Sequence, residues 1–362
     1  MKLCYVLLVN WNGWQDTLEC LESLFRLDYR DYRVIVCDNG SSDGSLEQIR
    51  SWADGSKTQV PSTSNSPLGP SAEAVSRRIP YLQYNRHQIE QGDFCPRDEQ
   101  LILIDNQANL GFAGGNNIGL KYLMSCEDWD AVWLLNNDTV VEPNSLSELV
   151  NRMHDDPLIG ICGSTLLYYR QPEKVQALAG GYYCKWIGLP WLYGRFSLFD
   201  KQKPVKSAAV VEQRMNYVMG ASMLVSRTFL EQVGFMNEEY FLFFEETDWA
   251  WRGKGRFRLG YAPLSIVYHK GGSSIGTSSN PFKKSLTCDY FALRNRLIFS
   301  RAHCKEALPS IYLSLVAALI IRLCCGRWRN AAIIFDLLAG NDRTWQEKLT
   351  GRDSVHGEGI AG

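Results

Sequence analysis

The sequence has no excess of charge of either sign. Its 38 Lys and Arg residues nearly balance 39 Asp and Glu residues, which leaves a formal net charge of -1. The broad basic field that attracts nucleic acid is therefore missing, so we expect a small or membrane-borne partner and no nucleic acid. The composition, 45% hydrophobic and 21% charged, also excludes disorder over the whole length and suits one large α/β domain with appendages.

Paired cysteines are missing as well. The 11 cysteines are an odd number, with no C-x-x-C pair and no spacing typical of metal ligands. This pattern excludes a disulfide framework, and we expect buried thiols in a reducing cytosol. The apolar run at residues 3–9 lacks the length and the cleavage site of a signal peptide, so we expect it to form a buried first strand.

Two common nucleotide-binding signatures are also absent. The sequence contains no G-x-G-x-x-G fingerprint, and its glycine-containing segment Asn109–Asn117 follows the third predicted strand instead of the first. The segment Asn10–Trp14, after the first predicted strand, has neither several glycines nor a basic residue that could bind a triphosphate. A nicotinamide dehydrogenase and a sugar nucleotidyltransferase are therefore both disfavoured.

The sequence does contain an alternation of strand and helix patterns. Short apolar runs rich in β-branched residues predict buried parallel strands at residues 3–9, 32–37, 101–104 and 131–135. Helical spacing of apolar residues predicts helices at residues 18–25, 46–52, 117–124 and 146–153. Later apolar stretches, which could complete a mixed sheet, lie at residues 159–169, 215–225 and 264–268. We therefore predict an α/β doubly wound sheet with its ligand site at the carboxyl ends of the strands.

Residues 54–99 interrupt this alternation. Ser, Thr, Asn, Gln and Pro crowd residues 56–70, and no clear periodicity follows as far as residue 98. We interpret the segment as a surface insertion between the second and third predicted strands.

A nearly continuous apolar run covers residues 311–321, and Arg322, Arg327 and Arg329 follow it. A helix of that length rises only about 16 Å, roughly half of a bilayer core, which argues against a simple membrane span. Two interpretations stay open: an interfacial helix with a basic rim, and a helix packed on the core of the main domain.

Polar clusters follow the predicted parallel strands, at Asn10–Gly13, Asp38–Gly44, Asn109–Asn117 and Asn136–Asp138. Carboxylates in such places can accept hydrogen bonds from a ribose or a pyrimidine base, and glycines let the backbone approach a ligand. A helix N-terminus can also bind phosphate. Taken singly, the first cluster favours a turn and helix cap, the second is equally consistent with a capped turn, and an isolated Asp138 favours a helix cap.

Asp138 closes the last of these clusters. A carboxylate there can hold a divalent metal against a diphosphate, and His269 could complete the metal shell. Residues 271–274, together with Arg294 and Arg296, could contact phosphate oxygens. A helix-capping Asp138 and a structural His269 remain the alternatives.

Three acids, Glu245, Glu246 and Asp248, follow the largely aromatic run at residues 241–244. Burial raises the pKa of a carboxyl group toward values useful in a general base. Acids at the start of a helix are also an ordinary charge pattern, so both interpretations stay open.

Taken in order, these segments closely resemble the family 2 glycosyltransferases, in particular the bacterial rhamnosyltransferase-like branch that builds cell-surface polysaccharides. The resemblance covers roughly residues 1–300, apart from the insertion at 54–99. It implies a GT-A fold, with a doubly wound mixed sheet divided into a Rossmann-like nucleotide-binding half and an acceptor half. Residues 301–362 would then form a helical C-terminal region able to associate with a membrane.

The resemblance also implies roles for individual residues. Those implied to form the nucleotide-sugar site are Asn12, Asp38, Asp43, Asn109, Gly111, Asn116 and Asn137. The segment 136–138 occupies the place of the family's D-x-D metal motif, with Asn136 in place of the first acid. Asp138 is the implied metal ligand, and His269 is its candidate companion. The family's Glu-Asp pair aligns with Glu245-Glu246, which makes Glu246 the candidate base and Asp248 the reserve.

The reaction implied by the resemblance is a single in-line displacement with inversion at the anomeric carbon. Glu246 takes the proton of an acceptor hydroxyl, and Mg²⁺ or Mn²⁺ stabilises the departing diphosphate. The resemblance points to thymidine diphosphate rhamnose as donor and to a glycan or polyprenyl-linked acceptor. We expect a cytoplasmic location, with peripheral contact at the inner face of the cell membrane. A catalytically inactive nucleotide-sugar-binding module and a sugar nucleotidyltransferase stay as alternatives.

Overall fold

The computed structural model describes residues 3–56, 66–68, 78–95, 99–200, 206–271 and 285–341, together with Trp345 and Leu349. The chain divides into two compact units. The first unit comprises Met1–Tyr183, Pro190–Phe241 and Glu245–Ser274, and the second comprises Cys184–Leu189, Leu242–Phe244 and Ile275–Gly362.

The strands of the described residues are β1 Cys4–Asn10, β2 Tyr32–Asp38, β3 Tyr81–Asn85, β4 Leu101–Asp105, β5 Ala131–Asn136, β6 Thr139–Val141, β7 Ile159–Tyr168, β8 Gln171–Leu178, β9 Gly180–Cys184, β10 Leu189–Leu192, β11 Tyr217–Val218, β12 Ser222–Ser226 and β13 Arg258–His269. The α-helices are α1 Trp14–Leu24, α2 Ser45–Ala53, α3 Arg86–Gln91, α4 Gly111–Met124, α5 Ser145–Asp155, α6 Ala208–Arg214, α7 Arg227–Val233, α8 Glu245–Gly253, α9 Leu286–His303, α10 Leu308–Cys324 and α11 Trp328–Ala339. Short 3-10 turns lie at Glu238–Tyr240 and Lys305–Ala307.

The sheet follows the order β10-β9-β8-β7-β12-β5-β1-β2-β4-β3. Strands β5, β1, β2, β4 and β3 are parallel neighbours, whereas β12 pairs antiparallel with both β5 and β7. The predicted α/β doubly wound mixed sheet is confirmed. In its register Asn10 lies beside Asp38, and Val9 lies beside Asn136, so the carboxyl ends of β1, β2 and β5 meet at one edge.

The parallel strands form a buried part of the sheet because they are apolar along their length. Every residue of β2 from Val34 to Cys37 is fully buried, as are Leu101–Ile104 of β4. Strands that are buried on both faces read as continuous apolar runs, and helices cover both faces of such a sheet. The polar residues are therefore confined to the strand ends, where the site lies.

A chain of hydroxyl groups joins the parallel and antiparallel parts of the sheet. The indole Nε1 of Trp133 on β5 donates to Ser222 Oγ on β12 at 2.9 Å, and Ser222 lies 2.7 Å from Ser164 Oγ on β7. Ser265 on β13 donates to the same Ser164 oxygen at 2.9 Å. All four residues are completely buried, so these bonds satisfy polar groups that water cannot reach.

Part of the segment 54–99, which we interpreted as a surface insertion without clear periodicity, has regular structure. Strand β3 pairs in parallel with β4, and α3 follows it with an Asn85 capping box. Four of the five residues of β3 are only half-buried and the fifth is exposed, so this strand lacks the apolar run that marked the others. Residues 57–65, 69–77 and 96–98 of the insertion lie outside the described residues.

The second unit contains α9, α10 and α11. Asp289 on α9 accepts two hydrogen bonds from Arg322 of α10, at 2.7 and 3.0 Å, and a third from Asn330 of α11 at 2.8 Å. One buried carboxylate therefore ties the three helices together. The boundary predicted at residue 300 falls inside α9, within this unit.

Helix α10 is longer than the apolar run from which we predicted it. It has 17 residues, because Pro309 is tolerated in its first turn and Arg322 is included near its end. With the preceding 3-10 turn, Lys305–Cys324 is 20 residues long with a mean hydropathy of 2.0, which by length and composition alone is enough to cross a membrane. The argument from an eleven-residue run therefore does not hold.

Candidate functional site

The ends of β1 and β2 are joined by hydrogen bonds between buried polar side chains. Asn10 Nδ2 donates to Asp38 Oδ2 at 2.6 Å, and the Asp38 carboxylate also accepts from the backbone N–H and the hydroxyl of Ser41 at 2.8 Å each. The Asn10 side-chain oxygen accepts from Thr17 at 2.8 Å and from Asn137 at 3.3 Å. The first, second and fourth polar clusters of the sequence are thus one network, and Asp38 shapes the loop that follows β2.

Asn12 and Asp43 lie on the loops of this network. Asn12 has a left-handed backbone, with φ of 49°, and its side-chain oxygen accepts from the Ser42 N–H at 2.8 Å. The Asp43 carboxylate accepts from the N–H of Ser45 at 3.1 Å, the first residue of α2. Asn12 therefore links the loop after β1 to the loop after β2, whereas Asp43 bonds locally at the start of α2.

The third cluster joins the network through Asn39. Asn39 Nδ2 donates to the Gly111 carbonyl at 2.9 Å, and Asn39 Oδ1 accepts from Asn106 at 2.8 Å. Both asparagines are buried. Asn39 holds the start of α4 against the end of β2 and also bonds to the residue after β4, so the ends of β1, β2, β4 and β5 and one helix N-terminus share one set of bonds.

Gly111 allows two backbone segments to touch. Its φ is +74°, and a Cβ built on it would lie 2.3 Å from the carbonyl oxygen of Phe241. That same carbonyl accepts a hydrogen bond from Phe112 N–H at 2.8 Å. Only glycine fits here, and the contact brings the third cluster beside the segment that leads to the acids.

The other predicted residues of the third cluster bond locally. Asn109 accepts from the Gly111 N–H at 3.0 Å, and Asn116 donates to the Phe112 carbonyl of its own helix at 2.8 Å. The neighbouring Asn117 instead reaches another segment, because it donates to the Met236 carbonyl at 2.9 Å and to Glu238 at 2.8 Å. Asn117 thus makes the longer-range connection.

Asp138 and His269 lie together where β6 pairs with β13. His269 Nε2 is 3.2 Å from Asp138 Oδ1 and 3.4 Å from Asn136 Nδ2, and both His269 and Asp138 are buried. On the other side of the ring, Nδ1 lies 2.9 Å from Gln176 Oε1, an oxygen that can only accept. An N–H at Nδ1 would donate to Gln176, and Nε2 then faces Asp138, which is the orientation of a histidine that ligates a metal.

Lys270 fixes the end of β13 beside this pair. Its Nζ bonds to Asp16 at 2.6 Å and also to Glu19, both on α1. Burial alone would lower the pKa of Lys270, but its bonds to the two carboxylates raise that pKa above its ordinary value. The ion pairs anchor β13 to α1 and thereby help to hold His269 in place.

Glu245 and Glu246 begin helix α8 with unsatisfied carboxyl oxygens. Oε2 of each is buried and has no hydrogen-bond partner among the described residues. Burial raises the pKa of both groups, to about 7 for Glu246, and the charge of Glu246 adds to the rise for Glu245. A carboxyl group of this kind exchanges protons near neutral pH, which a general base requires.

The backbone before these acids is strained. Phe241, Phe243 and Phe244 have φ values of 44°, 69° and 77°, a region that bulky side chains rarely adopt. Such strain persists only where surrounding contacts impose it, and it is common near functional groups.

Asp248 differs from the two glutamates because each of its carboxyl oxygens has a hydrogen-bond partner. One oxygen accepts from Arg252 Nε at 2.7 Å, and the other lies 3.4 Å from the Tyr240 hydroxyl. Arg252 in turn donates to the carbonyls of Val233 and Phe235 at 2.9 and 2.7 Å. Asp248 is therefore the charged partner of a structural arginine, and the geometry favours Glu246 over Asp248 as a base.

Sequence reasoning missed Gln176, Asn10, Asn39 and Thr17 as members of the site. Asn10 and Asn39 stood within the polar clusters, so their position at strand ends was a usable signal. Gln176 lies within β8, 93 residues from His269 in the chain, and no local pattern marks it. The predicted contacts at Gly272–Ser274 lie outside the described residues, while Arg294 and Arg296 belong to α9 of the second unit.

A cavity of about 470 Å³ contains none of the predicted site residues. Arg152, Glu212 and Arg258 are among its lining residues. Arg152 and Glu212 bond to each other at 2.8 Å, and Arg258 pairs with Asp156 at 3.1 Å. Its charges are therefore already matched within the protein.

Known proteins resemble this chain in sequence. The model of the family described as glycosyl transferase family 2 matches residues 5–66 and 88–203, so the match ends before Glu246 and His269. The low-salt glycan biosynthesis hexosyltransferase Agl10 of Haloferax volcanii is 24% identical over 239 residues, which cover 65% of this chain and 71% of that protein. The N-acetylglucosaminyl-diphospho-decaprenol L-rhamnosyltransferase of Mycobacterium tuberculosis is 25% identical over 188 residues, 48% of this chain and 60% of that protein.

A solved structure is similar in fold. The crystal structure of GalNAc-T7 with UDP, GalNAc and Mn²⁺ matches with a TM-score of 0.54 at 13% identity, covering 97% of this chain and 57% of that chain. At this identity the likeness concerns the fold alone, and it agrees with the GT-A architecture.

Gly111→Ala should destabilise the protein more than Gly44→Ala. Both glycines have left-handed backbones, with φ of +74° and +77°, so each variant loses about 1–2 kcal/mol from backbone strain. A Cβ at Gly44 meets nothing within 4 Å, whereas at Gly111 it collides with the Phe241 carbonyl. We expect a further loss of at least about 1 kcal/mol for Gly111→Ala, measured by urea unfolding. Equal losses would show that the close approach to Phe241 is not required.

Proposed function

This chain belongs to glycosyl transferase family 2, and from that premise we propose that it transfers a rhamnosyl group, with inversion, from a nucleoside diphosphate to a polyprenyl-linked acceptor. The chain is a glycosyltransferase that uses nucleotide sugars. The donor sugar, the acceptor and the stereochemistry are the proposed parts.

The observation that carries the proposed mechanism is the pair of acids at the start of α8, each of which has a buried carboxyl oxygen. Glu246 has a pKa raised to about 7 and a carboxyl oxygen without a partner among the described residues. A structural acid would be paired, as Asp248 is with Arg252. We assign Glu246 as the general base.

In the proposed reaction Glu246 accepts the proton of the acceptor hydroxyl while that oxygen bonds to the anomeric carbon. The bond from the anomeric carbon to the diphosphate oxygen breaks on the opposite face, and the nucleoside diphosphate leaves with the bonding electrons. One displacement of this kind inverts the anomeric configuration. Removal of the proton by a positioned carboxylate contributes about 10²–10⁴-fold to the rate.

Asp138 and His269 would hold a divalent cation, Mg²⁺ or Mn²⁺. Their facing atoms, one carboxylate oxygen and one imidazole nitrogen 3.2 Å apart, are donors that Mn²⁺ accepts. Among the described residues no group of three or more His, Cys, Asp or Glu side chains converges on a point, so the donor's diphosphate and water would supply the other ligands. When bound, the ion offsets the charge of the departing diphosphate. The Mn²⁺ and UDP of the GalNAc-T7 structure support this proposal.

The strand-end network would bind the rest of the donor. Asn12, Asp38 and Asp43 border the loops after β1 and β2, where ligands of doubly wound sheets bind. In the protein alone the Asp38 carboxylate already accepts three hydrogen bonds. We propose that Asp38 positions the loop and that loop atoms contact the nucleotide.

The proposed donor and acceptor rest on relatives. The Mycobacterium tuberculosis relative is named for rhamnosyl transfer to a decaprenyl-linked sugar, and the Haloferax volcanii relative for hexosyl transfer in glycan biosynthesis. A water-soluble nucleotide sugar and a lipid-linked acceptor meet at a membrane surface. The proposed location is therefore the cytoplasm, at the inner face of the cell membrane.

Glu246→Gln should abolish transfer while leaving donor binding intact. We would incubate the protein with a panel of nucleoside diphosphate sugars, Mn²⁺ and polyprenyl diphosphate-linked N-acetylglucosamine, and follow acceptor-dependent nucleoside diphosphate release. We expect a loss of about 10²-fold or more for Glu246→Gln. Glu245→Gln is the matched control, and its loss should be much smaller. Wild-type rates in Glu246→Gln would contradict the assignment, and donor binding without turnover in the wild type would favour a binding module.

The rate of transfer should rise with pH through neutrality. The base form of Glu246 is the deprotonated form, and burial raises its pKa to about 7, so kcat/KM should climb up to that pH and level off above it. A carboxyl group with an ordinary pKa would leave the profile flat above pH 6. A flat profile from pH 5.5 to 8 would therefore exclude Glu246 in this role.

A further inference from the structure

The second unit exposes apolar side chains at helical spacing on two successive helices. On α10, Leu313 is 71% exposed, and on α11, Phe335 is 64% exposed. The other large exposed apolar side chains of these helices are Val316, Ile320, Ile321, Leu323 and Trp328. On α11 the residues 328, 332, 335 and 339 recur every three or four positions, so they form one stripe. We call these side chains of α10 and α11 the apolar face.

The opposite side of α10 is packed within its own unit. Ile311 and Leu315 are fully buried, and Arg322 forms its ion pair with Asp289, which also bonds to Asn330. One side of α10 therefore stays against its own unit while that unit is folded, and lipid chains can reach only the remaining sides. The helix is long enough to cross a bilayer by length and composition, and only 17% of its apolar window is buried among the described residues, so most of its surface is exposed.

Tryptophans mark both ends of α10. Trp186 is 51% exposed, and its carbonyl accepts a hydrogen bond from Ser310 near the start of the helix. Trp328 is 69% exposed and lies four residues beyond the end of α10. Indoles favour the boundary between hydrocarbon and water, because the ring is apolar and its N–H needs a polar partner.

The charge around the apolar face is basic. Between residues 301 and 341, Arg301, Lys305, Arg322, Arg327 and Arg329 outnumber Glu306 and Asp336. Arg322 and Glu306 are already paired, with Asp289 and Lys185 respectively. Lys305 and Arg329 are exposed near the two ends of α10. Their charge complements an anionic surface.

We propose that the second unit docks on an anionic lipid bilayer through the apolar face, with α10 and α11 lying in one leaflet and not spanning it. A contiguous exposed apolar surface is costly in water and marks an interaction site. Basic residues around an apolar helical stripe are the composition of a helix that lies in a membrane interface. This inference rests on the second unit alone and does not depend on the proposed donor, acceptor or base.

The test is co-sedimentation of the full chain with vesicles of phosphatidylcholine, with and without phosphatidylglycerol. We expect binding to the mixed vesicles, tighter by roughly fivefold for each basic residue that reaches the surface. The double variant Leu313→Gln, Phe335→Gln should bind at least about tenfold more weakly, because two apolar side chains no longer insert.

The matched control is Leu198→Gln in the first unit. Leu198 is 73% exposed, close to the 71% of Leu313, but it lies outside the apolar face. This variant should bind vesicles as the wild type does. Circular dichroism would show that both variants are folded.

Three outcomes would overturn the proposal. The wild type could fail to bind mixed vesicles, or the double variant could bind them as tightly as the wild type. Alternatively, the wild type could form a dimer that the double variant loses, with no change in vesicle binding, in which case a second copy of the chain covers the face.

Discussion

Buried polar groups at the carboxyl ends of parallel strands must bond to one another, and the site depends on this constraint. The apolar bodies of β1, β2 and β5 bring Asn10, Asp38 and Asn136 to one edge of the sheet. Water cannot satisfy side chains as buried as Asn10 and Asp38, so each amide or carboxylate there finds a neighbour. The resulting network fixes the loops in place before any ligand binds, which reduces the ordering required on binding.

The sequence predicted the parts of the fold that depend on local pattern. The four parallel strands and the helices between them were predicted because continuous apolar runs and helical spacing are local signals, and the polar clusters at their ends met as expected. Strand β3 was missed because it is half-buried and so has little apolar signal. Gln176 was missed because its role depends on a tertiary contact with His269, which no spacing along the chain reveals. The length of α10 was underestimated because polar Ser310 and Arg322 belong to a helix whose stability comes from packing and an ion pair.

The two ends of the proposed site differ in whether their charged groups have hydrogen-bond or ion-pair partners. Around His269, Lys270 is ion-paired with Asp16 and Glu19, and Gln176 and Asp138 lie against the two ring nitrogens, which holds the ring in one orientation. At the start of α8, Glu246 has a buried oxygen without such a partner among the described residues. Burial of that kind raises the pKa of Glu246, because the folded protein binds the proton more tightly than the unfolded chain does. The free energy of unfolding therefore falls as the pH rises from the ordinary glutamate range toward 7. Stability is thus lower in the pH range where the proposed base would be active, a common feature of catalytic groups.

The central claim is that the strand-end network, with Asp138 and His269, binds the nucleoside diphosphate portion of a donor together with a divalent ion. The most direct test is calorimetric titration of the protein with uridine, guanosine and thymidine diphosphates, in the presence of Mn²⁺ or of a chelator, for the wild type and for Gln176→Ala and His269→Ala. The account predicts Mn²⁺-dependent binding of one nucleotide, weakened about tenfold or more in both variants because Gln176 orients the ring of His269. Binding that is indifferent to Mn²⁺ and equal in all three proteins would contradict it.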